Sequence, residues 1–244
     1  MPAILQIPGT ATLATPFDFT AAAAYPLGTR MVSQDGRAWR YTEAGSPALV
    51  AGSVYQSEVP NAADDDLVVA AAAVGARSIT ITANAEAIVA DEFNGGYMVV
   101  QDDAGEGRAY LVEDTPAASA SVDFSLLLAH GVEVALTASS TVLLLKHPLK
   151  DVIIHPSPPT APVVGVAAAA VTANQFGWLQ TEGMASVLAE GTVVISQQVR
   201  ASETTDGAVA ALDYDESGRD EAILGVVAEV SISGEHSAVN LSIS

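Results

Sequence analysis

One motif that carries both tryptophans of the chain occurs twice, and it constrains the fold more than any other feature. The segments Val32–Ser57 and Val171–Ser196 align without a gap at an offset of 139 residues. Seven of the 19 positions from Trp39 onward are identical, including Trp39 itself, which aligns with Trp178. A motif used twice in one chain predicts one small β-module that is built twice.

This repeat makes specific predictions about the backbone. We expect the two copies to share one conformation, with Trp39, Gly52, Trp178 and Gly191 as structural residues of the repeat. Tryptophan can stack on a sugar or anchor an interface, but a place in a repeated motif favours core packing with a hydrogen-bonded indole N–H. The copies are expected to pack as one composite domain, with residues 61–155 inserted between them.

Composition excludes several classes of function. Half of the 244 residues are apolar, only 5% are aromatic, and there is no cysteine, so neither disulfides nor cysteine-based metal sites are expected. The net charge of −20 disfavours nucleic acid as a partner, because phosphate contacts need clustered Lys and Arg. No apolar run approaches the ~20 residues that span a bilayer, so no membrane association is expected. Residues 1–60 carry a net charge of only −1, whereas the remainder carries −19.

The spacing of turn signals predicts an all-β chain of small barrel or sandwich modules, with a repeated β-hairpin motif and little helix. Alternation predicts a strand over Ser78–Thr82, and Val132–Thr137 and Thr141–Leu145 are predicted as further strands, whereas Asp64–Ala76 is compatible with a short helix. The predicted organisation is an extended N-terminal arm over 1–27, a first β-repeat module over 28–60, a central β domain over 61–155, and a C-terminal β domain over 156–244.

No catalytic or metal-binding motif is complete in this sequence. Asp213–Gly218 matches the first half of a calcium loop, but Leu224 stands where the closing acidic ligand is required. Asp64–Asp66 is interpreted as a solvated connector, since three consecutive carboxylates cannot all face one ion. The four histidines show no metal-ligand spacing. We therefore predict no enzymatic activity, no cofactor and no metal.

The sequence offers one candidate surface for a protein partner. Arg30, Arg37 and Arg40 cluster around the first tryptophan, and arginine is enriched in interface hot spots, although scattered surface arginines remain an equal alternative. The proline-broken arm adds Phe17 and Phe19, which can be buried on a partner but cannot form a core alone. A disordered tail and a docking arm both remain open for this segment.

Several phrases of the sequence resemble structural proteins of tailed-bacteriophage virions, in particular capsid decoration (cement) proteins. The phrases are Gly28–Val32 with Asp35–Tyr41, then Leu49–Gln56, Phe176–Gly183 and Gly191–Val193. The resemblance implies a β-rich, non-enzymatic protein that binds and stabilises the outer surface of a capsid, with the major capsid protein as its partner and often a homotrimer as its state. It also implies location on the virion after synthesis in the host cytoplasm.

A second function class remains open from the sequence. A carbohydrate-binding or tail-associated adhesin of a phage particle would have a similar acidic β-rich composition. Such a module needs exposed aromatic platforms, and the chain has only 13 aromatic residues, with both tryptophans inside the repeat. We rank this interpretation below capsid decoration.

Overall fold

A computed structural model describes residues 15–213 and 222–243 of the chain. The fold is all-β, as predicted, and its helical content in the described residues is a single 3₁₀ turn at Ala62–Asp64. None of the helical structure within these ranges is long and apolar enough to cross a membrane. The strands are β1 (Arg30–Val32), β2 (Ala38–Glu43), β3 (Val54–Gln56), β4 (Leu67–Val68), β5 (Ser78–Thr82), β6 (Tyr97–Asp102), β7 (Ala109–Asp114), β8 (Asp123–Leu128), β9 (Thr141–Leu145), β10 (Ile153–Ile154), β11 (Val163–Ala167), β12 (Phe176–Leu188), β13 (Gln198–Ala201), β14 (Val209–Ala211), β15 (Gly225–Val227) and β16 (His236–Ser242).

The chain divides into two compact units, one of which is inserted into the other. The inserted unit is 60–147, and the first unit combines 1–59 with 148–244. The predicted central domain, 61–155, ends eight residues later than the inserted unit. The reason is that β10 pairs with β3, so residues 153 and 154 belong to the sheet of the first unit.

The inserted unit is a six-stranded antiparallel sheet in the order β4-β9-β6-β7-β8-β5. A bridge between Val69 and Ile81 brings its two edges together and nearly closes a barrel around an apolar core. β5 buries Ile79 and Ile81 and turns its Ser and Thr outward, as its alternation predicts. The strand predicted over Val132–Thr137 is wrong: that segment forms only a single bridge, from Leu136 to Ala72.

The ten-stranded sheet of the first unit is built from two equivalent modules that share one long strand. Its order is β10-β3-β11-β12-β16-β15-β13-β14, with β2 and β1 added beside β12. The first module contains β2, β3, β10, β11 and the first half of β12, and the second contains the second half of β12 with β13 to β16. The order β10-β3-β11 is thus mirrored by β14-β13-β15.

The same backbone contacts recur at equivalent positions of the two modules. The recurring bridges are Ala44–Val152 with Ala189–Val209, and Leu49–Val171 with Val193–Ser231. Four tight turns begin at the bridged residues Leu49, Val171, Val193 and Ser231. The fourth residue of each turn has a left-handed backbone, and these residues are Gly52 (φ 77°), Asn174 (57°), Ser196 (69°) and Gly234 (85°). Such agreement in bridges and turns identifies a structural duplication.

This duplication differs from the predicted one, so the prediction of a shared backbone over Val32–Ser57 and Val171–Ser196 is wrong. Ser196 in the second module occupies the turn position of Gly52, whereas Gly191 (φ 69°) lies in a different turn. The first copy breaks at residues 45–48, but the second continues as a strand to Leu188.

The aligned segments are instead partners in one sheet. β2 and β12 pair in antiparallel fashion, with Arg40 opposite Leu179, two residues that the 139-residue offset also aligns. Trp39 lies opposite Gln180, and Trp178 opposite Tyr41, so the two strands are related by a local two-fold axis through the Arg40–Leu179 pair. The sequence match therefore marks two strands that face each other.

Both indole rings are buried, as predicted, with 1% of Trp39 and 2% of Trp178 exposed. Trp178 packs with Tyr25, Tyr41 and Phe176, at ring-centroid distances of 5.7 Å to Tyr25 and 5.0 Å to Tyr41. The expected indole hydrogen bond is wrong for Trp39, because no acceptor in the described part of the chain reaches its buried Nε1.

Candidate partner-binding surface

The described part of the predicted N-terminal arm is anchored to the sheet by its second half. Thr20 and Phe176 exchange backbone hydrogen bonds of 2.9 Å, and the Ala24 N–H donates to the Tyr41 hydroxyl at 2.9 Å. Tyr25 meets the Tyr41 ring edge-on at 5.3 Å. Residues 20–27 are thus part of the first unit, in contrast to a free arm over 1–27, because their aromatic and apolar side chains complete the core around Trp178.

Two phenylalanines precede this anchor and remain exposed. Phe17 is 64% and Phe19 54% exposed, although the bridge at Thr20 fixes the chain directly after them. A turn closed by the Thr15 N–H and the Asp18 carboxylate, at 2.8 Å, shapes the backbone between them. The two rings are consequently presented by an ordered turn and are available to a partner.

The three predicted arginines do not form one free patch. Arg30 and Arg40 lie opposite each other on β1 and β2, but Nη2 of Arg30 donates to both carboxylate oxygens of Glu182 at 2.8 Å. Arg40 donates to the Gly28 carbonyl at 3.3 Å. The ion pair offsets the positive charge of Arg30, whereas the carbonyl contact holds the Arg40 side chain and leaves its charge in place.

Arg37 has a separate role beside Trp39. Its Nε donates to the Asp35 carboxylate at 2.8 Å, and its guanidinium carbon lies 5.2 Å from the centre of the Trp39 ring. The Ser33 hydroxyl also donates to Asp35, and this bond, helped by those from Arg37, holds the pKa of Asp35 below its usual value. The Asp35–Arg37 pair therefore stays ionised and fixes the guanidinium over the indole.

A cavity of about 590 Å³ opens next to this arginine in the first unit. Its walls come from the N-terminal turn, β2, β11, the turn at Gly52 and the second half of β12. The lining residues used below are Phe17, Arg37, Trp39, Gln180, Met184, Ser186 and His236. Its volume falls in the usual range of ligand pockets, about 300–1,000 Å³.

No motif in the sequence marks the strand segment Met184–Ser186 or His236 as part of a site. The signal available was the alternation of buried and exposed residues in this half of β12, where Ala185 and Val187 are buried between exposed neighbours. That pattern identifies a strand, but it does not show that one edge of the strand has no neighbouring strand.

Chemically, the surface offers apolar contacts and hydrogen-bond groups. No cluster of three or more His, Asp or Glu side chains suited to a metal ion occurs in residues 15–213 and 222–243. Of the half calcium loop, Asp213 is described, and positions 214–218 lie outside the described residues. Gly191 stands at an open turn with no atom within 4 Å of the position that a Cβ would take.

No protein-family profile, curated protein or solved structure matches the chain.

Proposed function

We propose that this chain is a non-enzymatic structural protein that attaches to the outer surface of a phage capsid and stabilises it, with the major capsid protein as partner. The observation that carries the proposal is the pair of exposed phenylalanines, Phe17 and Phe19, held on an anchored turn. The resemblance of the sequence to capsid decoration proteins supplies the identity of the partner.

Energetics support attachment through these two rings. Complete burial of one phenylalanine side chain contributes roughly 1.5–3 kcal/mol. The backbone hydrogen bonds of Thr20 already fix the chain directly after the two rings. Burial of the rings therefore costs less conformational entropy than the ordering of a free tail. Residues 1–60 also carry only −1 of the total charge of −20, so this part approaches an acidic shell with the least repulsion.

The adhesin alternative has less support. A sugar-binding platform requires an exposed aromatic face, and both tryptophans are almost fully buried, so such a module would have to use rings such as Phe17, Phe19 or Tyr97. A homotrimer remains part of the proposal, because three linked attachment points raise the avidity of a small contact. Sedimentation of the purified chain tests this state, and a strictly monomeric species contradicts it.

The attachment test uses the double variant Phe17→Ser/Phe19→Ser. We expect at least a tenfold loss of co-sedimentation affinity for capsids assembled from the proposed partner, the major capsid protein. The thermal unfolding midpoint should stay unchanged, since both rings are already exposed. The matched control is Val74→Ser/Val89→Ser, which removes two equally exposed apolar side chains from the inserted unit and should bind like the wild type.

Unchanged binding of the phenylalanine variant would contradict attachment through this turn. A wild-type chain that does not bind these capsids at all would contradict the proposed function itself.

A further inference from the structure

The second half of β12 has an open backbone edge. At the two ends of its antiparallel pairing with β16, the Thr181 carbonyl accepts from the Ile243 N–H at 2.9 Å and the Ala189 N–H donates to the Glu235 carbonyl at 2.8 Å. Because hydrogen-bonded pairs alternate along an antiparallel ladder, the odd-numbered residues between them face β16 as well. The even-numbered residues, Met184, Ser186 and Leu188, point their N–H and C=O groups to the opposite side. The cavity of about 590 Å³ lies on that side.

Only part of this edge is satisfied. The Leu188 N–H donates to the Gly52 carbonyl at 2.8 Å, and the Gln180 side-chain amide donates to the Met184 carbonyl at 2.9 Å. The N–H and C=O of Ser186 and the N–H of Met184 have no hydrogen-bond partner in the described part of the chain. Unpaired strand edges of this kind are templates for the addition of another strand.

The duplication shows what normally covers such an edge. In the first module, β2 occupies the place of the second half of β12, and Tyr41 occupies the place of Ser186. The N–H of Tyr41 donates to the Thr29 carbonyl at 2.9 Å, and its carbonyl accepts from the Gly28 N–H at 2.9 Å. The chain leading into β1 thus covers in the first module the edge that is open in the second.

The absence of an equivalent covering strand has a topological cause. In the first module, the residues that precede β2 fold back on it as β1. In the second module, the residues that precede the open edge are the first half of β12 itself, which already pairs with β2 and β11. The shared strand therefore leaves no directly preceding segment, among the residues that the structure describes, to cover its second half.

We propose that this edge binds an extended, uncharged polypeptide segment of another molecule, which adds a strand antiparallel to β12. An open row of peptide groups selects a peptide backbone as its partner. Among the described residues lining the cavity, the one with a formal charge at neutral pH is Arg37, and Asp35 already pairs with it. The apolar wall, which includes Phe17 and Met184, favours apolar side chains on the bound segment.

The test uses the full-length protein and a labelled, end-blocked peptide with the sequence of residues 1–14, which has no charged side chain. Fluorescence polarisation measures its binding to wild type, Ser186→Pro and Ser186→Ala. Proline removes the N–H that faces the cavity and leaves the hydrogen bonds to β16 intact. We expect Ser186→Ala to bind like the wild type and Ser186→Pro at least tenfold more weakly. Met184→Pro removes the neighbouring outward N–H and replaces Ser186→Pro if that variant does not fold.

A second peptide, N-methylated on the backbone at residues 4–7, is the matched ligand control and should not bind. Binding that appears only in a chain lacking residues 1–14 would mean that this segment occupies the edge in the intact chain, and it overturns binding of another molecule there. Equal binding by wild type and both proline variants, or no binding by either the full or the shortened chain, overturns the proposal. The Ser186→Pro result is distinguishable from a failure of capsid attachment, because proline at residue 186 leaves Phe17 and Phe19 unchanged.

Discussion

Replacement of Trp178 by alanine should produce the largest loss of stability among the variants considered. Trp178 is 2% exposed and packs against Tyr25, Tyr41 and Phe176, so the variant leaves a cavity between two strands and the N-terminal segment. Replacement of a buried Trp by Ala costs about 3–5 kcal/mol. A loss of this size approaches the entire stability of an ordinary domain, about 5–15 kcal/mol.

Urea unfolding followed by tryptophan fluorescence measures this effect in the first unit alone. Both tryptophans belong to that unit, so Trp39 remains as its reporter when Trp178 is replaced. The control is Tyr97→Ala, which removes an exposed aromatic ring from the inserted unit and should leave the fluorescence transition in place. An unchanged urea midpoint for Trp178→Ala would contradict the packing described around this residue.

The same core changes how the N-terminal segment should be truncated in binding studies. Deletion of residues 1–27 removes Tyr25 and the Thr20 bridge, and is expected to destabilise the first unit. The prolines of this segment exclude a helix, so the sequence predicts an extended arm. Prolines say nothing about whether an extended segment packs on a sheet, and the contact with Trp178 is visible only in three dimensions.

The sequence predicted the strands well where one face is buried and the other is solvated. Ser78–Thr82 and Thr141–Leu145 have the predicted bounds because a period of two is a direct consequence of strand geometry. The isolated apolar run at Val132–Thr137 failed because apolar residues can fill a core from a loop as well as from a strand.

The duplication could not be predicted because the segments that are similar in sequence are not the segments that are equivalent in the structure. Trp39 and Trp178, which the 139-residue offset aligns, lie on neighbouring strands that share one aromatic cluster. Similar packing therefore accounts for the similar residues. The equivalent modules have diverged, and one of them is interrupted by the inserted unit 60–147. Their turns need only a residue that tolerates a left-handed backbone, a condition that glycine, asparagine and serine each meet here.

The candidate surface was predictable only in part. Exposure of Phe17 and Phe19 follows from a segment too short to form its own core. The ion pair of Arg30 with Glu182, 152 residues away, could not be predicted from the sequence, and partner binding by Arg30, Arg37 and Arg40 remains a prediction. The open edge of β12 could not be predicted, since an edge is defined by a missing neighbouring strand and the sequence does not show which strands pair.

The duplication itself predicts a second large effect, at Gly165 and Gly225. These glycines occupy equivalent positions on β11 and β15, and each lies against the last strand of its module. A Cβ on Gly225 would lie 2.4 Å from the Asn240 carbonyl oxygen, and one on Gly165 would lie 2.8 Å from Cβ of Leu179. Neither contact can be relieved by rotation of a side chain, so the strands themselves must separate.

We therefore expect Gly225→Ala and Gly165→Ala each to lower the free energy of unfolding by about 2–3 kcal/mol, the cost of overpacking a close backbone contact. The control is Gly234→Ala, where φ is 85° but no atom lies within 4 Å of the new Cβ. It should cost only the strain of a left-handed alanine, about 1 kcal/mol. Urea unfolding with tryptophan detection compares the three variants. Because φ is 155° at Gly165, its alanine variant also carries backbone strain and should cost at least as much as Gly225→Ala. If Gly165→Ala costs clearly less than Gly225→Ala, or if either costs no more than Gly234→Ala, the two positions are not equivalent and the duplicated modules do not pack as described.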